Sequence, residues 1–187
     1  SLVDGRDFIP AAIEKQACVI LLESTSDEVA ISWSGDIPHI AIPRLHQRLS
    51  EIAGRYYGDP SKSMAVIGIT GTNGKTTCSL LAGQLLVRIY GISSVVGTTG
   101  YGVLNATALA PMEQQLSQLT NTGLTTPDPI ALQRILSEMR DGNATTSAIE
   151  VSSHSLVQQR VAGIRMTTAV FTNLTHDHLD LHGALAS

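Results

Sequence analysis

The sequence predicts an α/β protein: a mostly parallel sheet flanked by helices, preceded by part of a smaller α/β unit. Three observations predict it. From Lys62 onward, short apolar runs alternate with segments of helical periodicity. Residues 64–77 read as a strand, a glycine-bent loop and a helix start, with Gly-Lys-Thr at the junction. Ahead of them, an amphipathic segment over 44–57 stops at Gly58-Asp59-Pro60-Ser61, a breaker cluster that marks a boundary at residue 60.

Taken in order, Pro10 sits in the first turn of a short helix flanked by Phe8, Ala11, Ala12 and Cys18. Val19 to Leu22 and His39 to Ile42 are apolar runs of strand length. Leu45, Leu49, Ile52, Ala53 and Tyr56 share one face of a helix. Val66 to Ile69 form a buried strand, and Leu80, Leu81, Gln84, Leu85 and Ile89 continue the helix opened by Lys75. Ser93 to Val96 read as the next strand. Residues 103–124 lack clear periodicity and are expected to form a loop or hairpin insertion. Ile130 to Arg140 form a helix that Asp141-Gly142-Asn143 ends. Ser147 to Val151 and Thr168 to Thr172 are further strands. In such sheets ligands bind at the carboxyl ends of the strands.

Composition narrows the function. Of 187 residues, 43% are hydrophobic and 15% charged, which fits a packed globule rather than a disordered chain. The net charge is −4 with no basic run, so nucleic acid is not the expected partner. No apolar run has transmembrane length, so no membrane partner is expected, and a cytoplasmic protein is the default. Cys18 and Cys78 form no metal or redox spacing, and both are expected to be buried and inert.

The chemistry concentrates in a few places. Thr70-Gly71-Thr72-Asn73-Gly74-Lys75-Thr76-Thr77 makes a P-loop-type phosphate cradle. Backbone N–H groups and a helix N-terminus attract phosphate oxygens, Lys75 adds a point charge, and the Thr76 hydroxyl suits Mg²⁺. The match to G-x-x-x-x-G-K-[ST] is imperfect, because Ile69 stands where the first glycine belongs and the glycines fall at Gly68 and Gly71. Glu150 ends an apolar strand, where an acidic residue can hold Mg²⁺ beside phosphates. Ser152-Ser153-His154 carries no nucleophile elbow, so a polar binding loop is the better reading than a hydrolase. Beyond it, Gln158 and Arg160 follow, and Arg160 has a guanidinium able to grip a carboxylate or phosphate. Thr125-Thr126-Pro127-Asp128 reads first as a helix start, with Pro127 in the first turn. His176, Asp177, His178, Asp180 and His182 crowd together after the last strand. Without a His-Glu-x-x-His pattern, one of these assisting a phosphate-bound Mg²⁺ fits better than a zinc site.

Four motifs in order, at 70–77, 150–154, 173–175 and 177–183, resemble the Mur ligase family, and Asp4 to Pro10 look like the end of that family's uridine-binding domain. The resemblance covers nearly the whole chain apart from 103–124. It implies part of an N-terminal UDP-binding domain over 1–60 and the first part of a central ATP-binding domain over 61–187, with the C-terminal domain absent. It also implies an ATP- and Mg²⁺-dependent ligase of peptidoglycan precursors. Such an enzyme adds a diamino acid, meso-diaminopimelate or L-lysine, to UDP-MurNAc-L-Ala-D-Glu through an acyl phosphate, and a monomer is expected.

By that resemblance Gly71, Thr72, Asn73, Gly74, Lys75, Thr76 and Thr77 hold the ATP phosphates. Thr76, Glu150 and His178 bind metal, with Lys75, Glu150 and His178 catalytic. Thr125, Thr126, Ser152, Gln158 and Arg160 contact the UDP-linked substrate. The family's carbamylated lysine, its adenine-binding elements and its amino-acid-binding domain have no counterpart in these 187 residues. A piece of a longer enzyme is therefore expected, able to bind ATP phosphates without turning over. Two other readings share the cradle: a folylpolyglutamate synthase-like ligase, and a non-catalytic nucleotide-binding module.

Overall fold

The computed structural model describes residues 4–107 and 111–175. By packing, the chain divides into two compact units, Ser1–Arg48 and Leu49–Ser187. The Gly58–Ser61 break lies inside the second unit.

In the first unit a 3-10 turn at Gly5–Phe8 leads into helix α1 (Ile9–Glu14), with Pro10 in its first turn. Three strands follow: β1 (Ile20–Glu23), β2 (Ala30–Ser34) and β3 (Ile37–Ile42). Their order is β1-β3-β2, with β1 parallel and β2 antiparallel to β3. Strand β2 was not among the expected elements. Its hairpin is closed by Gly35-Asp36 with Gly35 at φ +59°, a two-residue turn that favours Gly and Asp. Cys18 is exposed and Cys78 partly buried, so the expected burial of both thiols does not hold.

Helix α2 (Leu45–Tyr56) spans the division between the units. Leu45 and Ala53 are buried as its periodicity predicts, whereas Tyr56 is exposed.

Among the described residues the second unit is built on five strands: β4 (Ala65–Thr70), β5 (Ile92–Gly97), β6 (Gly100–Asn105), β7 (Thr146–Glu150) and β8 (Thr168–Phe171). The order is β6-β5-β7-β4-β8, parallel except for β6, which folds back antiparallel on β5. Helix α3 (Lys75–Tyr90) joins β4 to β5, and α5 (Pro129–Asp141) precedes β7. Two short helices, α4 (Met112–Ser117) and α6 (Ser153–Val157), are also present. The observed hairpin is β5–β6, closed at Thr98-Thr99 ahead of the 103–124 stretch where a loop or hairpin was expected; the described part of that stretch holds the end of β6, α4 and a bridge from Thr120 back to Tyr101.

Side chains alternate across the strands and divide the core in two. Val66, Val96 and Ile149 pack with Leu132, Ile135, Leu136 and Met139 of α5. Ile69, Val95 and Ala148 pack with Val87 of α3. The register pairs Ile69 with Glu150 and Val96 with Ile149, so the carboxyl ends of β4, β5 and β7 finish together. Among the described residues, no helix is long and apolar enough to cross a membrane.

Helix α3 meets the sheet through a different face from the one its leucines mark. Its buried residues are Ser79, Gly83 and Val87, while Leu81, Leu85 and Ile89 are exposed. Gly83 permits this approach, since a Cβ there would lie 2.3 Å from Cγ1 of the buried Val95. Gly83→Ala should destabilise the protein although alanine is the better helix former. Overpacking costs about 1–3 kcal/mol and propensity returns only about 1 kcal/mol. Denaturant unfolding checks this, and adding Val95→Ala should relieve part of the loss.

Candidate active site

The loop after β4 is shaped by two glycines. Gly71 has φ +133°, and Gly74, at φ +83°, stands at the N-terminus of α3. Among the described residues no side chain caps α3, so the N–H groups of Lys75, Thr76 and Thr77 lack partners within the helix, the arrangement that suits an anion. Lys75 Nζ folds back into the loop and donates to the carbonyls of Gly71 (2.7 Å) and Thr72 (3.0 Å).

The segment after β8 is stitched to this loop. Thr72 N donates to Asn173 O at 2.9 Å, and Asn73 N donates to Asn173 Oδ1 at 3.1 Å. In return Asn173 Nδ2 and Thr172 Oγ1 donate to Asn73 O at 3.0 and 2.7 Å. Thr175 N donates to Thr72 Oγ1 at 3.0 Å. The Thr72 and Asn73 amides are thus engaged within the protein, whereas the N–H groups of the first turn of α3 have no partner within the helix. The same contact explains Gly71, because a Cβ there would fall 2.1 Å from Thr172 Oγ1 and 2.9 Å from Asn173 O.

Glu150, at the end of β7, is fully buried. Thr76 Oγ1 donates to its Oε2 at 3.0 Å, Thr98 N to its Oε1 at 3.0 Å, and Thr98 Oγ1 to its Oε2 at 3.0 Å. Ser79 Oγ, which donates to Thr76 O at 2.9 Å, lies 3.4 Å from Oε1. Gly97 leaves the space, since a Cβ there would sit 2.1 Å from Oε1. Every one of these partners is neutral. Among the described residues no cationic side chain forms an ion pair with Glu150. Burying a carboxylate without an opposite charge costs several kcal/mol, which the four neutral donors around it offset in part.

The Thr125–Thr126 segment adjoins it. Thr126 Oγ1 donates to the Glu150 carbonyl at 2.8 Å and accepts from Ser152 N at 3.1 Å. Arg160 Nη1 donates to Thr126 O at 2.6 Å, and its Nε and Nη2 donate to Gln158 Oε1. The expected Thr125, Thr126, Ser152, Gln158 and Arg160 are thus brought into one chain of contacts beside Glu150. Ser152 also caps α6, accepting from Ser155 N at 3.2 Å. Asp128, not Pro127, opens α5: its side chain accepts from Ile130 N and Ala131 N, and Pro129 is the first helical residue.

His178 lies outside the described residues, as do His176, Asp177, Asp180 and His182. Among the described residues, no three His, Cys, Asp or Glu side chains gather as a metal cluster. Sequence reading missed Thr98, Ser79 and Asn173 as neighbours of the site. Asn173 carried a signal within its motif; Thr98 and Ser79 are uncharged residues in ordinary strand-end and helical settings.

Fold and site together define a P-loop-type α/β unit with a buried acidic residue one strand away from the loop. The Mur ligase middle domain matches residues 69–187, and the chain belongs to the Mur ligase family. It is 44% identical over 182 residues to a UDP-N-acetylmuramoyl-L-alanyl-D-glutamate--2,6-diaminopimelate ligase from Coxiella burnetii, covering 97% of this chain and 34% of that protein. A solved structure of a ligase of the same name superposes with TM-score 0.73 at 33% identity, covering 97% of this chain and 33% of the other. The chain therefore spans about a third of the length of the curated relatives it matches. Folylpolyglutamate synthase from Mycobacterium tuberculosis shares the fold, with TM-score 0.54 at 18% identity over 75% of this chain and 36% of that one.

Gly71→Ala should destabilise the protein by about 1–3 kcal/mol, because it meets both an unfavourable φ and the Thr172–Asn173 segment. Chemical unfolding should show a lower midpoint, and a shift no larger than a surface substitution gives would contradict the stitched geometry.

Proposed function

We propose that this chain supplies the ATP-binding part, and part of the acceptor-binding part, of an ATP-dependent ligase of peptidoglycan precursors. The reaction joins 2,6-diaminopimelate to UDP-MurNAc-L-Ala-D-Glu, a reading supported by the names of the relatives. In this reading residues 1–60 belong to a UDP-binding domain and 61–187 to the central ATP-binding domain. One observation carries it: the buried, uncompensated Glu150 carboxylate lies 3.0 Å from Thr76, one residue from the Lys75 amine.

A carboxylate is a poor electrophile, and transfer of the ATP γ-phosphoryl group to its oxygen creates a leaving group while ADP departs. The amine nitrogen then attacks the carbonyl carbon, and phosphate leaves. The site must first hold two anions close together. Here the first-turn N–H groups of α3 bind phosphate oxygens, and Lys75 exchanges its two loop carbonyls for them. Because Lys75 already lies over the loop, that exchange is a local side-chain movement.

Oxygen donors fit Mg²⁺, and the Thr76 hydroxyl and Glu150 carboxylate offer them side by side without a protein cation in the way. Mg²⁺ bound there would supply positive charge against the phosphates. His178 is proposed as a further ligand from the motif it shares with the family. Thr125, Thr126, Ser152, Gln158 and Arg160 are proposed to hold the UDP-linked acceptor, with the Arg160 guanidinium leaving Gln158 to meet an anionic group.

Calorimetry tests both halves. The chain should bind ADP in the presence of Mg²⁺, and Lys75→Ala should weaken that binding about ten- to hundredfold, the worth of a charged hydrogen bond. UDP-MurNAc-L-Ala-D-Glu should bind and folate should not. Folate binding without the UDP compound would favour a folylpolyglutamate synthase-like ligase, and ADP binding indifferent to Lys75→Ala would overturn the phosphate-loop assignment.

A further inference from the structure

Thr98 occupies the two-residue turn between β5 and β6, where Gly97 pairs with Gly100. From that turn it reaches both oxygens of Glu150: its N–H donates to Oε1 and its hydroxyl to Oε2, each at 3.0 Å. A hydroxyl has one proton. The same hydroxyl lies 3.1 Å from Thr125 Oγ1 with Thr98 again on the donor side, so its one proton is shared between Glu150 Oε2 and Thr125 Oγ1. Thr125 and Glu150 are thus linked through the one Thr98 hydroxyl. A second path runs through Thr126, whose hydroxyl donates to the Glu150 carbonyl. The 125–126 segment is therefore tied to the side chain of Glu150 through Thr98 and to its backbone directly.

Thr76 approaches Oε2 from the helix side. The Thr76 oxygen can meet a cation through a lone pair while its proton stays on the carboxylate, and Thr98 is the second hydroxyl donor on Oε2, reaching it from the sheet side. We propose that Thr98 is a positioning residue: it fixes the orientation of the Glu150 carboxylate for a divalent cation and couples that carboxylate to Thr125. A neutral donor suits this task, because it orients the carboxylate without cancelling the charge that attracts the cation. This inference rests on the cation-holding role proposed for Glu150.

The test measures ADP binding by calorimetry across a Mg²⁺ titration. Thr98→Val keeps the shape and the N–H but removes the hydroxyl. It should raise the Mg²⁺ concentration for half-maximal ADP binding roughly tenfold or more, as loss of an outer partner of a metal ligand does. ADP affinity without Mg²⁺ should stay unchanged, and Thr98→Ser should restore the original Mg²⁺ dependence. Equal losses with and without Mg²⁺, or no change, would overturn the proposal; Thr98→Ala replaces the valine variant if that one does not fold. If the unsubstituted chain binds ADP without regard to Mg²⁺, the cation reading of Glu150 fails on its own account. The grip is then decided by a double-mutant cycle of Thr98→Val with Glu150→Gln in denaturant unfolding. Non-additive shifts support the coupling, and additive shifts overturn it.

Discussion

A carboxylate held inside a sheet without a counter-charge is the constraint around which the second unit is arranged. Glu150 sits at the end of a strand whose five residues are all buried. Among the described residues its charge is met by hydroxyl and amide donors. A lysine or arginine in the same place would cancel that charge. Neutral donors leave the charge standing, and they also fix its direction. Three further features follow from it. Gly97 must lack a side chain, Thr98 must turn its backbone inward, and α3 must bring Thr76 to Oε2.

The rotation of α3 about its axis follows from the same constraint. Thr76 and Ser79 are three residues apart, so they share one helix face. Both point at Glu150, and Gly83 and Val87 continue that face along β5. Lys75 is then carried to the loop side, where its amine closes over the Gly71 and Thr72 carbonyls. Helix, loop and carboxylate are therefore one geometric unit. A shift of α3 that relieved the close approach at Gly83 would also draw Thr76 away from Glu150.

Much of this was legible in the sequence, and the boundary of legibility is physical. The strand–loop–helix at 65–90 is a local feature, and its glycines and Gly-Lys-Thr announce it within a few residues of each other. Glu150 was visible because an acidic residue ending an apolar strand is unusual. The face of α3 was not visible. Leucines at 80, 81, 85 and 86 make the helix apolar on more than one side, and the sheet chose the side with serine and glycine because only small residues allow the contact with Val95. Strand β2 was overlooked although Gly35-Asp36 between alternating residues is a hairpin signal; its residues are all exposed, so no apolar run marks it. Thr98 could not be found locally, since its role exists only when β5 and β7 lie side by side.

The phosphate loop shows why distant contacts matter to a motif that looks self-contained. Seven consecutive residues suggest seven interchangeable backbone donors. In the folded chain the Thr72 and Asn73 amides are committed to Asn173, and the Asn173 side chain imitates a neighbouring strand by both donating to and accepting from Asn73. The pairing of β4 with β8 is thereby extended past Thr70 into the loop, which is held before any ligand arrives. At the first turn of α3 the helix dipole and N–H groups without partners in the helix coincide. The loop's rigid half is built from contacts a hundred residues away in sequence, and its receptive half from the few residues that open the helix. Preorganisation of this kind lowers the entropic cost of gathering phosphate oxygens.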